Sequence, residues 1–374
     1  MPWILVTAAS GLIWLILLFV PWRPWGTRET IESGPRTADT DLSKVTVLIP
    51  ARNEAASIKS TLSSLIHKGK HLSVILVDDQ STDSTTRMAQ EVPLSRLRII
   101  SGEPIPAGWV EKMWALEQGL RHVQTPLTLC IDADIELMPG MIPALVDKME
   151  SRGLHMVSAM VSLRMKTFWE RLLMPAFVYF FKMLYPFRLS NSSFRGVAAA
   201  AGGCILIRTR VLKNIGGYKP LREALIDDCA LAKQVKSSGY RIWLGLTRSA
   251  RSLRSYRRLS SIWHMVARTA FDQLRYSVVW LALTTVAMGI IFWVPVFGLF
   301  SQHIGICLAS VGILAMMMGT YIPVLRYYDR SPAWAGALPI ISVMYVAMTW
   351  TSAIRYWVGK GSTWKGRSYR PNVS

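Results

Sequence analysis

Four stretches of this 374-residue chain carry no charge over lengths that few soluble folds bury: Ile4–Val20, Val278–Phe300, Ile304–Leu325 and Ala333–Ile354. A helix needs about 20 apolar residues to cross a hydrocarbon core of about 30 Å, and each run approaches that length. They are four candidate membrane spans, one ahead of the polar part of the chain and three behind it. The first reads as an uncleaved anchor rather than a signal peptide. No basic residue precedes it, and Pro21-Trp22-Arg23-Pro24-Trp25 stands where a small-residue cleavage site would be. Trp3, Trp22, Trp25, Trp334 and Trp357 lie beside the runs, where indole rings suit the headgroup level.

The formal net charge of +20 raises nucleic acid as a partner, since a basic surface releases counterions from a phosphate backbone. Its distribution argues for a membrane surface instead. Eight Arg and one Asp lie between Arg241 and Arg275, directly ahead of the second apolar run, where anionic headgroups attract basic side chains. No nucleic acid is expected. Cys130, Cys204, Cys229 and Cys307 form no C-x-x-C, so neither a zinc site nor a disulfide framework is suggested, and a reduced cytoplasmic domain is consistent. Arg23, Arg28 and Arg36 follow the first run while nothing basic precedes it, which also places the polar domain in the cytoplasm. Three trailing crossings would then export a tail whose Arg355, Lys360, Lys365, Arg367 and Arg370 favour the cytoplasm. Three crossings remain the more economical expectation.

Between Lys44 and Arg258 the composition is that of an α/β protein. Val45–Ile49 is a β-branched run ended by Pro50, and Ile58, Leu62, Leu65 and Ile66 follow at helical spacing. The pattern repeats with Val74–Val77 and a helix near Thr85–Gln90, then Leu97–Ile100, a helix near Lys112–His122, and Leu127–Ile131. Alternating units predict a parallel sheet with helices on both faces, and ligands collect at the carboxyl ends of such strands. Residues 164–188 mix aromatics with Arg171, Lys182 and Arg188, and fit an interfacial helix and a core helix equally well.

The polar residues after the strands carry the chemistry. Asp78-Asp79-Gln80-Ser81-Thr82-Asp83 offers carboxylates to a base or ribose, with Ser81 and Thr82 as candidate helix caps. In Asp132-Ala133-Asp134 alternate residues of an extended segment point the same way, so both carboxylates can address one hard divalent cation, Mg²⁺ or Mn²⁺. An EF-hand is excluded because Leu137 and Pro143 occupy its glycine and final glutamate positions, and neither G-x-x-x-x-G-K-[ST] nor G-x-G-x-x-G occurs.

Taken in order, Pro50-Ala-Arg52-Asn53-Glu54, Val77-Asp-Asp79-Gln-Ser-Thr-Asp83, Lys112-x-x-Ala115-Leu116-x-x-Gly119, Asp132-Ala-Asp134, Gly216-Gly217 and Asp227-Asp228-x-x-Leu231 resemble family 2 glycosyltransferases over about residues 44–245. The resemblance implies a GT-A-type nucleotide-binding domain with a mostly parallel sheet. It implies donor contacts at Pro50, Arg52, Glu54, Asp79, Lys112 and Asp132, a metal at Asp132 and Asp134, and a general base at Asp228, with Asp227 as helix cap or sugar contact. Gly108 lies four residues before Lys112 rather than adjacent, a departure that leaves an exposed helix lysine as the other reading.

Processive members carry Q-x-x-R-W after the catalytic acid. Here Ile262–Gln273 lacks it, which implies a single transfer rather than a polysaccharide synthase. Ala199–Cys204, Trp263–Phe271 and Thr363–Tyr369 are similar to hopanoid-associated glycosyltransferases, and more loosely to carotenoid-acid ones. The expected layout is an anchor over 1–22, a linker over 23–43, a catalytic domain over 44–258, an interfacial basic segment over 259–277, about three spans over 278–355 and a basic tail over 356–374. The expected function is transfer from a nucleotide sugar, a UDP-sugar, to a lipid acceptor at the inner (cytoplasmic) membrane. A non-enzymatic basic membrane protein is the bland alternative.

Overall fold

The computed structural model describes residues 2–34, 40–66, 69–359, 362–364 and 367–369. Arg36, Lys360, Lys365 and Arg370, which enter the topology argument, lie outside the described residues. The chain divides into two compact units, one of Met1–Arg28, Met165–Pro186 and Tyr256–Ser374, the other of Glu29–Arg164 and Phe187–Ser255.

The second unit is built on eight strands: β1 (Val45–Ala51), β2 (Ser73–Asp78), β3 (Leu97–Ser101), β4 (Leu127–Ile131), β5 (Ile135–Leu137), β6 (Met156–Ser162), β7 (Cys204–Arg208) and β8 (Ile242–Ser252). Their order is β3-β2-β1-β4-β7-β6-β8-β5. β1 to β4 are mutually parallel, as the alternating pattern predicts. The sheet is mostly parallel, as expected, with β6 also parallel to β8; the exceptions are β7, antiparallel to both β4 and β6, and β5, antiparallel to β8. The chain enters β7 with Cys204 opposite Ile131, at the carboxyl end of β4, so it can only run back toward Leu127.

Both faces of the sheet are covered. Period-2 geometry sends Val45, Val47 and Ile49 into one core with Ile58, Leu62, Leu145 and Met149, and Leu48 into the other with Met113, Leu116 and Leu120. The helix Glu111–Leu120 lies so close to the sheet that a Cβ at Gly119 would stand 2.3 Å from Leu48 Cδ1 and 2.9 Å from Val77 Cγ2. The small residue of the K-x-x-A-L-x-x-G spacing is thus a packing requirement that brings Lys112 to the strand ends.

The linker expected over 23–43 is corrected where it is described. β8 is far longer than β5, which leaves part of its edge open, and residues 29–33 cover it. Ile31 N donates to Leu246 O at 2.9 Å and Leu246 N to Glu29 O at 2.8 Å. Glu32 accepts from Arg248 N at 3.0 Å and from Ser249 Oγ at 2.7 Å. Ile31 and Leu42 are buried, so this unit begins before Lys44.

The other unit is helical. Pro2–Phe19, Val278–Gly298, Ile304–Tyr327 and Pro332–Trp357 are long and apolar enough to cross a membrane, and Leu5, Val279, Leu308 and Ile340 on them are exposed. Pro295 has no N–H, so the carbonyl of Ile291 loses its helical partner within a π-helical turn, Gly289–Trp293. Trp14 Nε1 donates to that oxygen at 2.9 Å. Helix Phe168–Leu184 starts on a capping box, with Thr167 Oγ1 accepting from Glu170 N at 3.3 Å and Glu170 Oε2 from Thr167 N at 2.9 Å. Its Tyr179 hydroxyl lies 2.9 Å from Thr320 Oγ1, and Tyr345 donates to Leu173 O at 2.9 Å. This is a core helix of the helical unit, which interrupts the domain expected over 44–258. The segment expected to lie in the interface over 259–277 packs likewise: Trp263 Nε1 donates to Thr351 Oγ1 at 3.0 Å, and Phe271 is buried with its N–H on Ser352 Oγ at 3.1 Å.

Candidate active site

β1, β2 and β3 end level, with Ala51 opposite Asp78 and Asp78 opposite Ser101, and the loops that leave them are knitted together. Asn53 and Gln80 adopt left-handed backbones, φ 51° and 55°. Asn53 N donates to Ser81 Oγ at 3.0 Å, Thr82 N to Asn53 Oδ1 at 2.8 Å, and Glu54 N to Thr85 Oγ1 at 2.8 Å. Ser81 and Thr82 therefore do not cap the following helix. Asp83 takes that part, its Oδ1 accepting from Thr85 N at 2.9 Å. Arg52 is buried. Its guanidinium donates to the carbonyls of Asp79 and Gln80 and stands 3.8 Å from the Asp79 carboxylate, itself 2% exposed.

Two cations organise the remaining acids. Lys112 Nζ lies 2.9 Å from Asp132 Oδ1 and 3.0 Å from Asp227 Oδ2. Burial works against its charge, but Asp132 and Asp227 outweigh burial and raise its pKa. It is not an exposed helix lysine. Arg254 bridges Glu54 Oε1 at 3.1 Å and Asp134 Oδ2 at 3.3 Å. Burial, then the charge of Asp132, pushes the Asp134 carboxyl up to about 6, against the pull of Arg254.

Asp228 is held by backbone alone: Oδ2 accepts from Gly202 N at 2.8 Å and Oδ1 from Cys229 N at 2.7 Å. A Cβ at Gly202 would sit 3.3 Å from Lys112 Nζ and 3.4 Å from Asp228 Oδ2, so a larger residue would crowd both groups. Burial first and Asp227 second push the Asp228 carboxyl up to about 6, while Lys112 and the two N–H groups oppose the shift. Asp227 begins the helix Asp227–Ser237 but makes no cap, since its carboxylate is turned to Lys112.

Of the residues singled out in the sequence, Pro50, Lys112, Asp132 and Asp228 line one small cavity of about 20 Å³ together with Asp227 and Gly202. Glu54 and Asp134 meet at Arg254, and Arg52 and Asp79 form a third group. Among the described residues no three His, Cys, Asp or Glu side chains converge on one point. Sequence reasoning missed Arg254, which there was only one of many arginines, and Gly202, whose N–H is invisible to a side-chain motif. It also missed Asp227 as the partner of Lys112.

The glycosyl transferase family 2 model matches residues 46–216, which hold β1 to β7 and the acids after β2 and β4. These residues form a family 2 glycosyltransferase domain. A 119-residue stretch is 29% identical to the 4,4'-diaponeurosporenoate glycosyltransferase of Staphylococcus aureus, covering 32% of this chain and 31% of that one. The matched stretch thus spans about a third of the relative's length. The mannosyltransferase PcManGT from Pyrobaculum calidifontis, solved in complex with GDP-Man and Mn²⁺, is similar over 95% of both chains with a TM-score of 0.51 and 16% identity. The glycosyltransferase domain is GT-A-like in fold.

Proposed function

We propose that the chain is an inverting glycosyltransferase moving one sugar from a nucleoside-diphosphate sugar, a UDP-sugar, to a lipid acceptor in the membrane that its apolar helices cross. The acceptor class we infer is a hopanoid or a similarly apolar polycyclic or polyene lipid, on the sequence likeness around Ala199–Cys204 and on the lipid-like substrate in the S. aureus relative's name. One observation carries the reading: a carboxylate with raised pKa, Asp228, fixed by two N–H groups beside the Lys112–Asp132–Asp227 cluster at the strand ends. The acceptor hydroxyl would attack the anomeric carbon as the bond to the diphosphate breaks, and its proton would pass to Asp228. Asp79 would address the base, with Arg52 setting its loop, while Pro50 and Glu54 would shape the donor crevice. Lys112 would approach the diphosphate from the first turn of its helix.

The donor set fits a divalent cation of the Mg²⁺ or Mn²⁺ kind, which takes one or two carboxylates and completes its shell with phosphate oxygens and water. Asp132 and Asp134 would hold it, Asp132 being the more exposed of the two. Bound there, it neutralises charge on the departing diphosphate.

Because a general base works only when ionised, the acid limb of the pH–rate profile is expected near 6. Asp227→Asn removes a neighbouring negative charge that raises the Asp228 pKa, so the limb should move to lower pH. A limb that stays put or moves up would separate Asp228 from turnover. Asp79→Ala is expected to raise the donor KM more than it lowers kcat, as for binding shared by ground and transition states, and a pure kcat effect would contradict the assignment. The reading as a whole is tested by incubating the purified protein with candidate nucleotide sugars and a host lipid extract. Mass spectrometry should then show a lipid heavier by one sugar. Polymer, or no product with any donor, would overturn it.

A further inference from the structure

Between Glu170 and Glu223 the chain has no acidic residue and nine basic ones. Inside that stretch a surface loop spans residues 191–198, and its base is tied from three sides. Ser190 Oγ accepts from Ala199 N at 3.0 Å and donates to Ala199 O at 3.4 Å. Asn191 exchanges both its amide bonds with Leu244, at 2.7 and 2.9 Å. Lys236, buried, donates to the carbonyls of Leu189, Ser190 and Val197 at 3.1, 2.7 and 2.7 Å. A loop closed in this way holds its tip in a defined place.

The tip is the opposite of its base. Ser192, Ser193, Phe194, Arg195 and Gly196 are all exposed. Phe194 is 57% exposed, and its ring folds over Gly196, where a Cβ would lie 2.6 Å from the ring edge. The ring keeps most of its apolar surface in water, where burial in a partner or a lipid boundary would be favourable. An aromatic ring flanked by arginines, Arg195 beside it and Arg188 at the entry to the loop, suits the boundary between headgroup and acyl chain of an anionic leaflet. The same chain carries four helices long and apolar enough to cross a membrane.

We propose that the 191–198 loop is a bilayer-contact loop, with Phe194 seated among the headgroups of an anionic membrane and Arg188 and Arg195 against their phosphates. The far limb of this loop runs through Ala199 to Gly202, whose N–H holds Asp228, so membrane contact and the acceptor side of the site share one short segment. The inference needs the apolar helices to sit in a bilayer and the loop to face it, and the quenching experiment reads the second directly. It stands or falls separately from the transfer reaction.

The test uses the full chain in nanodiscs. Phe194→Cys is labelled with an environment-sensitive fluorophore in a Cys307→Ser background, the other native cysteines being buried. Ser193→Cys keeps Phe194 and serves as a second reporter, and Arg210→Cys, at the other end of the sheet, is the reference. Spin-labelled lipid in discs containing anionic lipid should quench the reporters at 193 and 194 and leave the one at 210 bright. The loss should be smaller in zwitterionic discs. Quenching at 193 and 194 no greater than at 210 would overturn the proposal, as it would if a soluble protein were the partner of the loop. Equal quenching in both lipid compositions would remove the arginines from it.

Discussion

Asp228→Asn is expected to lower turnover by about 10²-fold or more with little change in donor affinity, the share typical of general-base catalysis. The amide keeps the size of the carboxylate and can still accept one of the N–H bonds from Gly202 and Cys229, but it cannot take a proton. Its NH₂ must then face one of those two donors. Some loss of stability, on the order of 1–3 kcal/mol, should accompany the variant and is read separately by thermal unfolding. Single-turnover rates with calorimetric donor affinities separate chemistry from binding. Near-normal turnover in Asp228→Asn, with Asp227→Asn inactive, would move the base to the neighbouring acid, whose carboxylate the structure pairs with Lys112.

Asp132→Ala is expected to abolish the part of UDP binding that depends on Mg²⁺ or Mn²⁺. The carboxylate is the more exposed of the proposed metal pair and stands 2.9 Å from Lys112, so its removal takes away a metal ligand and loosens the lysine together. Lys112 keeps Asp227, so the fold should survive. Asp134→Ala should give the same loss of metal dependence by another route, since it also frees Arg254 from one of its two acids. Titration of UDP with and without metal distinguishes the cases. Unchanged affinity in the presence of metal would sink the assignment.

Much of this arrangement was legible because it is periodic. The runs of β1, β2 and β4 are buried on both faces, the edge strand β3 is only partly so, and the helices between them show their spacing, so the sequence alone puts the acids after β2 and β4 at strand ends. Asp79, Asp132 and Asp228 are named by motif order alone; Asp132 and Asp228 line one cavity, while Asp79 lies apart from it beside Arg52. What stayed hidden depends on contacts distant in sequence. The direction of β7 is set by the end of β4, some 70 residues earlier, and propensity carries no sign of direction. Glu29–Ser33 looked like linker because its polar residues satisfy the edge of β8 rather than a period of their own. Arg254 has a role only because Glu54 and Asp134 meet there. Helix Phe168–Leu184 was ambiguous because its aromatic and basic residues serve a lipid boundary and a packed helical unit equally well.

The interruption of the α/β unit by residues 165–186 has a consequence for how the protein is made. In the sheet β7 lies between β4 and β6, yet it leaves the ribosome after helix Phe168–Leu184, which belongs to the other unit. Chains fold from the amino terminus as they emerge, so the first four strands can assemble early while β6 waits for its neighbour. The sheet is completed only once the chain has delivered that helix and come back. Biogenesis of the α/β unit is therefore coupled to that of the helical unit, and no continuous segment that encodes the sheet is free of a helix belonging to the other unit.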